Sequence, residues 1–161
     1  MEPVVERILV PTDFSECATA ALEYALKIAG PLGAKIDLMH VWEAPIYSGA
    51  DSVVVRDEAG EHLTLLEYVR RQAEESLRRY VAGYHARGLT VEAKLVAGDP
   101  LHVLERASHE HDLLVIGTHG RRAIARLLLG SLAERVLHVA ACPVLIVRAP
   151  GHAAHAPTKR D

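Results

Sequence analysis

Short apolar runs alternating with stretches of helical periodicity constrain this chain more than any other feature. The first run is residues 7–11, and after it Ala18, Leu22, Ala25, Leu26 and Ala29 recur at helical spacing within residues 15–29. Pro31, Leu32 and Gly33 end that helix, and residues 35–42 form a second strand apolar enough to be buried. From residue 43 to about 61 the periodicity disappears among Pro45, Gly49 and Gly60, so this stretch reads as a loop over one end of the domain. A helix follows over residues 62–86, with Leu65, Leu66, Val69, Ala73, Leu77 and Val81 as its apolar stripe and arginines and glutamates on its wet face. Strand 89–97, helix 101–109, strand 112–116, helix 131–140 and strand 143–147 complete the series. Buried strands in this alternation predict a single-domain α/β fold. It is a doubly wound, five-stranded parallel sheet with helices on both faces, because parallel neighbours require right-handed crossovers.

Half of the 161 residues are hydrophobic, which is enough for one core and no second domain. Lys and Arg number 18 against 21 Asp and Glu, so no basic footprint points to nucleic acid or an anionic membrane. No apolar run approaches the roughly 18 residues of a membrane span, and the first residues lack a secretory pattern. Cys17 and Cys142 stand far apart without CxxC spacing, which suits free thiols in a reducing compartment; a cytoplasmic protein is expected. Residues 149–161, rich in Pro, Ala and Gly, read as a disordered tail after a domain of residues 1–148.

In such sheets ligands sit at the carboxyl ends of strands, where the winding reverses. Pro11, Thr12 and Asp13 follow the first strand, Val41 closes the second, and the stretch GTHGRRAIARLLLGS (117–131) follows the fourth. Glycines in that stretch reach positive φ and let backbone N–H groups approach an anion, while Ser131 stands at a helix N-terminus that favours phosphate. Arg121 and Arg122 add positive charge. Turn glycines followed by a capping box, Ser131 with Glu134, account for the stretch equally well, and Asp13 with Glu16, taken in isolation, reads more readily as a helix cap than as a ligand contact. There is no GK[ST] loop and no GxGxxG after a strand. Ser131, Glu134 and His138 lie on one helix too far apart for a triad, and the scattered histidines lack a zinc framework.

Three segments together resemble the universal stress protein family: ILVPTDFSECATAALEYALKIA, LMHVWE, and LLVIGTHGRRAIARLLLGSLAERVLHVAACPVLIVR. The resemblance spans residues 7–148. Its most specific element is GxxG, nine residues, then G[ST], matched by Gly117, Gly120, Gly130 and Ser131, the pattern of the ATP-binding branch. The resemblance implies an adenine nucleotide α-hydrolase-like sheet of order 3-2-1-4-5, with the switch point between the loops of Asp13 and Gly117. It implies that Asp13 contacts the ribose, with Pro11 and Thr12 in its loop, that Val41 meets the adenine edge, and that Ile116 lies against the base. Gly117, Gly120, Gly130 and Ser131 fall on its phosphate positions, Leu132 adds a backbone N–H, and His119 lies inside the GxxG with its role open. The implied ligand is ATP, with Mg²⁺ bridging its phosphates. The implied assembly is a homodimer through the edge strand Pro143 to Arg148. The implied function is a nucleotide-dependent stress-response switch with slow or absent hydrolysis. A nucleotide-free dimeric interaction module is the alternative, and an ATPase using Asp13 as base ranks behind both.

Overall fold

The computed structural model describes residues 5–44, 53–85, 89–118 and 130–148. In chain order its elements are β1 (Arg7–Pro11), α1 (Glu16–Leu32), β2 (Lys35–Trp42), β3 (Val54–Arg56), β4 (His62–Thr64), α2 (Leu65–His85), β5 (Glu92–Ala97), α3 (Pro100–Ser108), β6 (Leu113–Gly117), α4 (Ser131–Val139) and β7 (Val144–Val147). Five strands form one sheet in the order β5-β2-β1-β6-β7, every neighbour parallel. Counting only those five, this is the expected 3-2-1-4-5. The reversal of winding falls between β1 and β6.

Period-two alternation sorts side chains between the two faces. Ile8, Val10, Leu38 and Val115 pack with Ala21, Leu22 and Ala25 of α1 and Leu77 and Val81 of α2. Leu9, Met39, Leu114 and Ile116 pack on the other side with Leu101 and Leu104 of α3 and Ala133 and Val136 of α4. Both faces are therefore covered, as runs apolar at every position require. The first helix runs past Ala29 through Pro31 and stops at Gly33, whose φ of 67° suits a residue without Cβ and whose N–H reaches the Ala29 and Gly30 carbonyls.

The expected loop over residues 43–61 needs correcting. Part of it is β3, which pairs antiparallel with β4 across a turn in which Asp57 Oδ1 accepts from Glu61 N. His62, Leu63 and Thr64, expected as helix, are strand instead. The helix begins at Leu65, three residues later than expected, because Thr64 and Glu67 form a reciprocal capping box: Glu67 N donates to Thr64 Oγ1 at 3.2 Å and Thr64 N to Glu67 Oε2 at 2.9 Å. The remaining boundaries move by only a few residues. The tail expected over residues 149–161 lies outside the described residues.

A charged cluster lies among the apolar side chains near the amino ends of the strands. Asp37 of β2 is buried, and its Oδ2 accepts from Arg7 Nη2 at 2.7 Å, Lys94 Nζ at 2.9 Å and His111 Nε2 at 2.8 Å. Burial pushes this carboxyl up, but the hydrogen bonds from Lys94, His111 and Arg7 overcome it and hold the pKa at about 2. His111, also buried, donates from Nδ1 to the Ala107 carbonyl at 2.7 Å. Two histidines of the 109–111 triplet thus have different fates: His111 is locked onto Asp37, and His109 is exposed at the end of α3. No described helix is long and apolar enough to cross a membrane.

Candidate functional site at the carboxyl ends of β1 and β6

The loop after β1 is held from both sides. Thr12, buried, donates from its N–H to the Met39 carbonyl at 2.9 Å, and its own carbonyl accepts from His40 Nδ1 at 2.8 Å. Asp13 Oδ1 accepts from Ser15 N at 3.1 Å in a turn of the Asx kind. Ser15, not Asp13, is the N-cap of α1, accepting at Oγ from Ala18 N at 3.2 Å. The expectation that Asp13 and Glu16 cap this helix is therefore corrected. A short side chain two residues nearer the helix reaches its N3 amide, and Asp13 is left in the loop.

Across the switch point, Gly117 ends β6 against the first turn of α1. A Cβ there would stand 2.5 Å from the Cys17 carbonyl oxygen and 2.6 Å from its carbon. Its φ is not positive; among the described glycines only Gly33, Gly60 and Gly98 have positive φ. Gly117 is thus required by close approach of helix and strand, a reason different from the left-handed turn expected there. Thr118, buried, donates to the Val147 carbonyl at 3.0 Å and accepts at its own carbonyl from Gly130 N at 2.5 Å.

That last bond joins the two ends of the glycine stretch. Residues 118 and 130 touch, so α4 starts directly beside the carboxyl end of β6. Gly130 is the N-cap, with φ −56° and ψ 141°, and its carbonyl accepts the first helical bond, from Glu134 N at 3.0 Å. The expected capping box on Ser131 is overturned: Ser131 is the first helical residue, and glycine at the cap position has no side chain to satisfy the first-turn amides. Those amides and the positive end of the helix dipole remain available to an anion.

Several expected site residues gather here. Pro11 is half-buried at the end of β1, opposite Met39. Ile116 is a buried member of the apolar cluster on the α3–α4 face, and Val41, partly buried, packs against that cluster. Gly130, Ser131 and Leu132 form the start of α4. His119, Gly120 and Arg121 lie outside the described residues. Sequence reasoning missed His40, Phe14 and Tyr80, whose rings pack behind the Asp13 loop: Phe14 and His40 centroids are 4.4 Å apart, Phe14 and Tyr80 5.4 Å. The signal was faint, since a single aromatic after Asp13 has no period. Among the described residues no group of three or more His, Cys, Asp or Glu is placed to hold a metal.

Known proteins supply the context. The universal stress protein MJ0531 of Methanocaldococcus jannaschii is 29% identical over 151 residues, covering 92% of this chain and 85% of that protein. A universal stress protein of Mycolicibacterium smegmatis is 36% identical over 154 residues, covering 92% of this chain but 50% of the longer protein, so this chain spans half of that relative. Among solved structures, a universal stress protein in complex with cAMP superposes with a TM-score of 0.56 at 28% identity, covering 91% of this chain and 99% of that one. The sequence profile of the universal stress protein family matches residues 5–148, and with the sheet order and the closed glycine stretch in place, the chain belongs to that family.

Proposed function

We propose that this chain is an ATP-binding stress-response switch in which nucleotide occupancy, with slow or absent hydrolysis, biases the conformation of the domain. The observation that carries the reading is the Gly130 N–H to Thr118 carbonyl bond, which sets the uncapped start of α4 at the carboxyl end of β6, beside the Asp13 loop. The residues suit the ligand. Val41, partly buried, offers apolar surface for a base at the margin of the cluster that holds Ile116, Asp13, with Pro11 and Thr12, supplies a carboxylate for ribose hydroxyls, and the amides of Ser131 and Leu132 face phosphate. Gly117 keeps the passage between β6 and α1 narrow. His119, Gly120 and Arg121 are assigned to the phosphate side by spacing alone. Mg²⁺ would ride on the phosphate oxygens with water completing its shell. The relative described in complex with cAMP supports a nucleotide of this class. Two free thiols suit a reducing cytoplasm, and β7 at the sheet edge, half-buried along its length, suits pairing with a second copy.

The test begins by denaturing the purified protein and identifying any released nucleotide. ATP with Mg²⁺ is then titrated into stripped wild type and Gly130→Val. The φ at Gly130 is one any residue adopts, so the variant adds no backbone strain and places a branched side chain at the N-cap of α4. Stoichiometric adenine nucleotide in wild type, lost in Gly130→Val, is the expected result. A folded wild type that binds no adenine nucleotide overturns the proposal and favours the interaction module.

A further inference from the structure

Phe14 has a φ of 65°, the only non-glycine residue at positive φ among those described. A bulky L residue is strained in this region, and glycine would adopt it freely. The surroundings hold Phe14 there from three elements. Its N–H donates to Thr12 Oγ1 at 3.0 Å within the loop. Its ring lies against His40 of β2, which in turn grips the Thr12 carbonyl, and edge-on to Tyr80 of α2 at an interplanar angle of 65°. Tyr80 is fixed by its hydroxyl on Thr19 Oγ1 of α1 at 2.8 Å and by Tyr84 at 5.5 Å. Strain of this kind persists where packing over-determines it, and here it lies directly between the two residues of the Asp13–Ser15 bond.

We infer that Phe14 is a positioning residue: its ring, wedged between His40 and Tyr80, holds the Thr12–Asp13–Phe14 turn so that the Asp13 carboxylate is preset for the ribose. This rests on the nucleotide reading of Asp13 given above. A glycine at position 14 would release the backbone strain but leave the turn without its anchor.

The experiment compares full-length wild type, Phe14→Ala, Phe14→Tyr, Asp13→Asn and the Phe14→Ala/Asp13→Asn double variant. Melting curves confirm the fold, calorimetric titration of ATP with Mg²⁺ measures affinity, and amide hydrogen exchange at Ser15 is followed by NMR without nucleotide. Phe14→Ala should weaken ATP about tenfold, a loss typical of an aromatic pair, and Phe14→Tyr should restore affinity to within about twofold of wild type. In the Asp13→Asn background the alanine substitution should have almost no further effect, because Phe14 acts through Asp13. The Ser15 amide should exchange faster in Phe14→Ala than in Phe14→Tyr. Unchanged affinity in Phe14→Ala, fully additive losses in the double variant, or unchanged Ser15 exchange overturns the inference. If folded wild type binds no adenine nucleotide, the proposed function fails, and Ser15 exchange alone decides whether the ring holds Asp13. Should Phe14→Ala not fold, Tyr80→Leu, which removes the support from α2 without touching the loop, is expected to move both readouts in the same direction, and its failure to do so overturns the inference.

Discussion

Asp37→Asn should destabilise the fold by about 2–3 kcal/mol near neutral pH, with the deficit vanishing in acid. Arg7, Lys94 and His111 converge on one oxygen of Asp37. Its carboxyl titrates at about 2 in the fold, against an ordinary value of 3.8. Depression of that size corresponds to about 2–3 kcal/mol of preference for the ionised form in the folded state. The sign follows from proton uptake. Above the ordinary value both states are ionised and the stabilisation is complete; as pH falls toward the folded value, the unfolded chain binds the proton first and the stabilisation is lost. Breaking a wholly buried pair costs about 3–5 kcal/mol; the Arg7 and Lys94 side chains, 40% and 34% exposed, recover hydration when the carboxylate is gone, and His111, whose side chain is buried, keeps a hydrogen-bond acceptor in the asparagine oxygen, so the lower range applies. Urea unfolding of wild type and variant from about pH 7 to about pH 2 measures the difference directly, and other carboxyls cancel between the two chains. A deficit that stays constant across this range, or one below about 1 kcal/mol at neutral pH, would refute the assignment of the stabilisation to the Asp37 charge.

The two glycines at the ends of the 117–130 stretch should separate cleanly. Gly117→Ala forces a Cβ against the Cys17 backbone and should cost about 1–3 kcal/mol, lowering the melting temperature by several degrees, whereas Gly130→Ala, at an ordinary φ, should cost less than about 1 kcal/mol. Equal losses at the two sites would contradict the close-approach reading of Gly117. If the β7 edge pairs with a second copy, sedimentation equilibrium should give twice the chain mass, and a monomer at every concentration tested removes that part of the proposal.

Much of the architecture is written in local periodicity. The strand and helix segments, the parallel α/β class and the helices on both faces follow from residues such as Ile8, Leu9 and Val10, apolar at consecutive positions, and from the stripe through Leu77 and Val81. The resemblance to the family added the strand order, which the fold bears out. The ribbon of β3 and β4 escaped because three-residue strands are shorter than any period can resolve, and their pairing depends on a turn and on packing against α2. Asp37 gave no sign of its burial, since a carboxylate in a strand is acceptable only when Arg7, Lys94 and His111 arrive from three other parts of the chain.

The candidate site divides in the same way. The sequence by itself determined that Asp13, Val41, Ile116, Gly117, Gly130 and Ser131 lie at or near strand ends and a helix start, because strand ends and helix starts are local properties of the chain. The structure settled the caps, Ser15 for α1 and a side-chain-less Gly130 for α4, among neighbouring residues that the sequence left as rival candidates, because a cap is fixed by which residue first takes helical angles. Tertiary structure alone decided that Gly117 is present for close packing on Cys17 and that Phe14 is held at positive φ by His40 and Tyr80. These two depend on atoms from residues distant along the chain, and no pattern within one segment encodes how closely two segments approach.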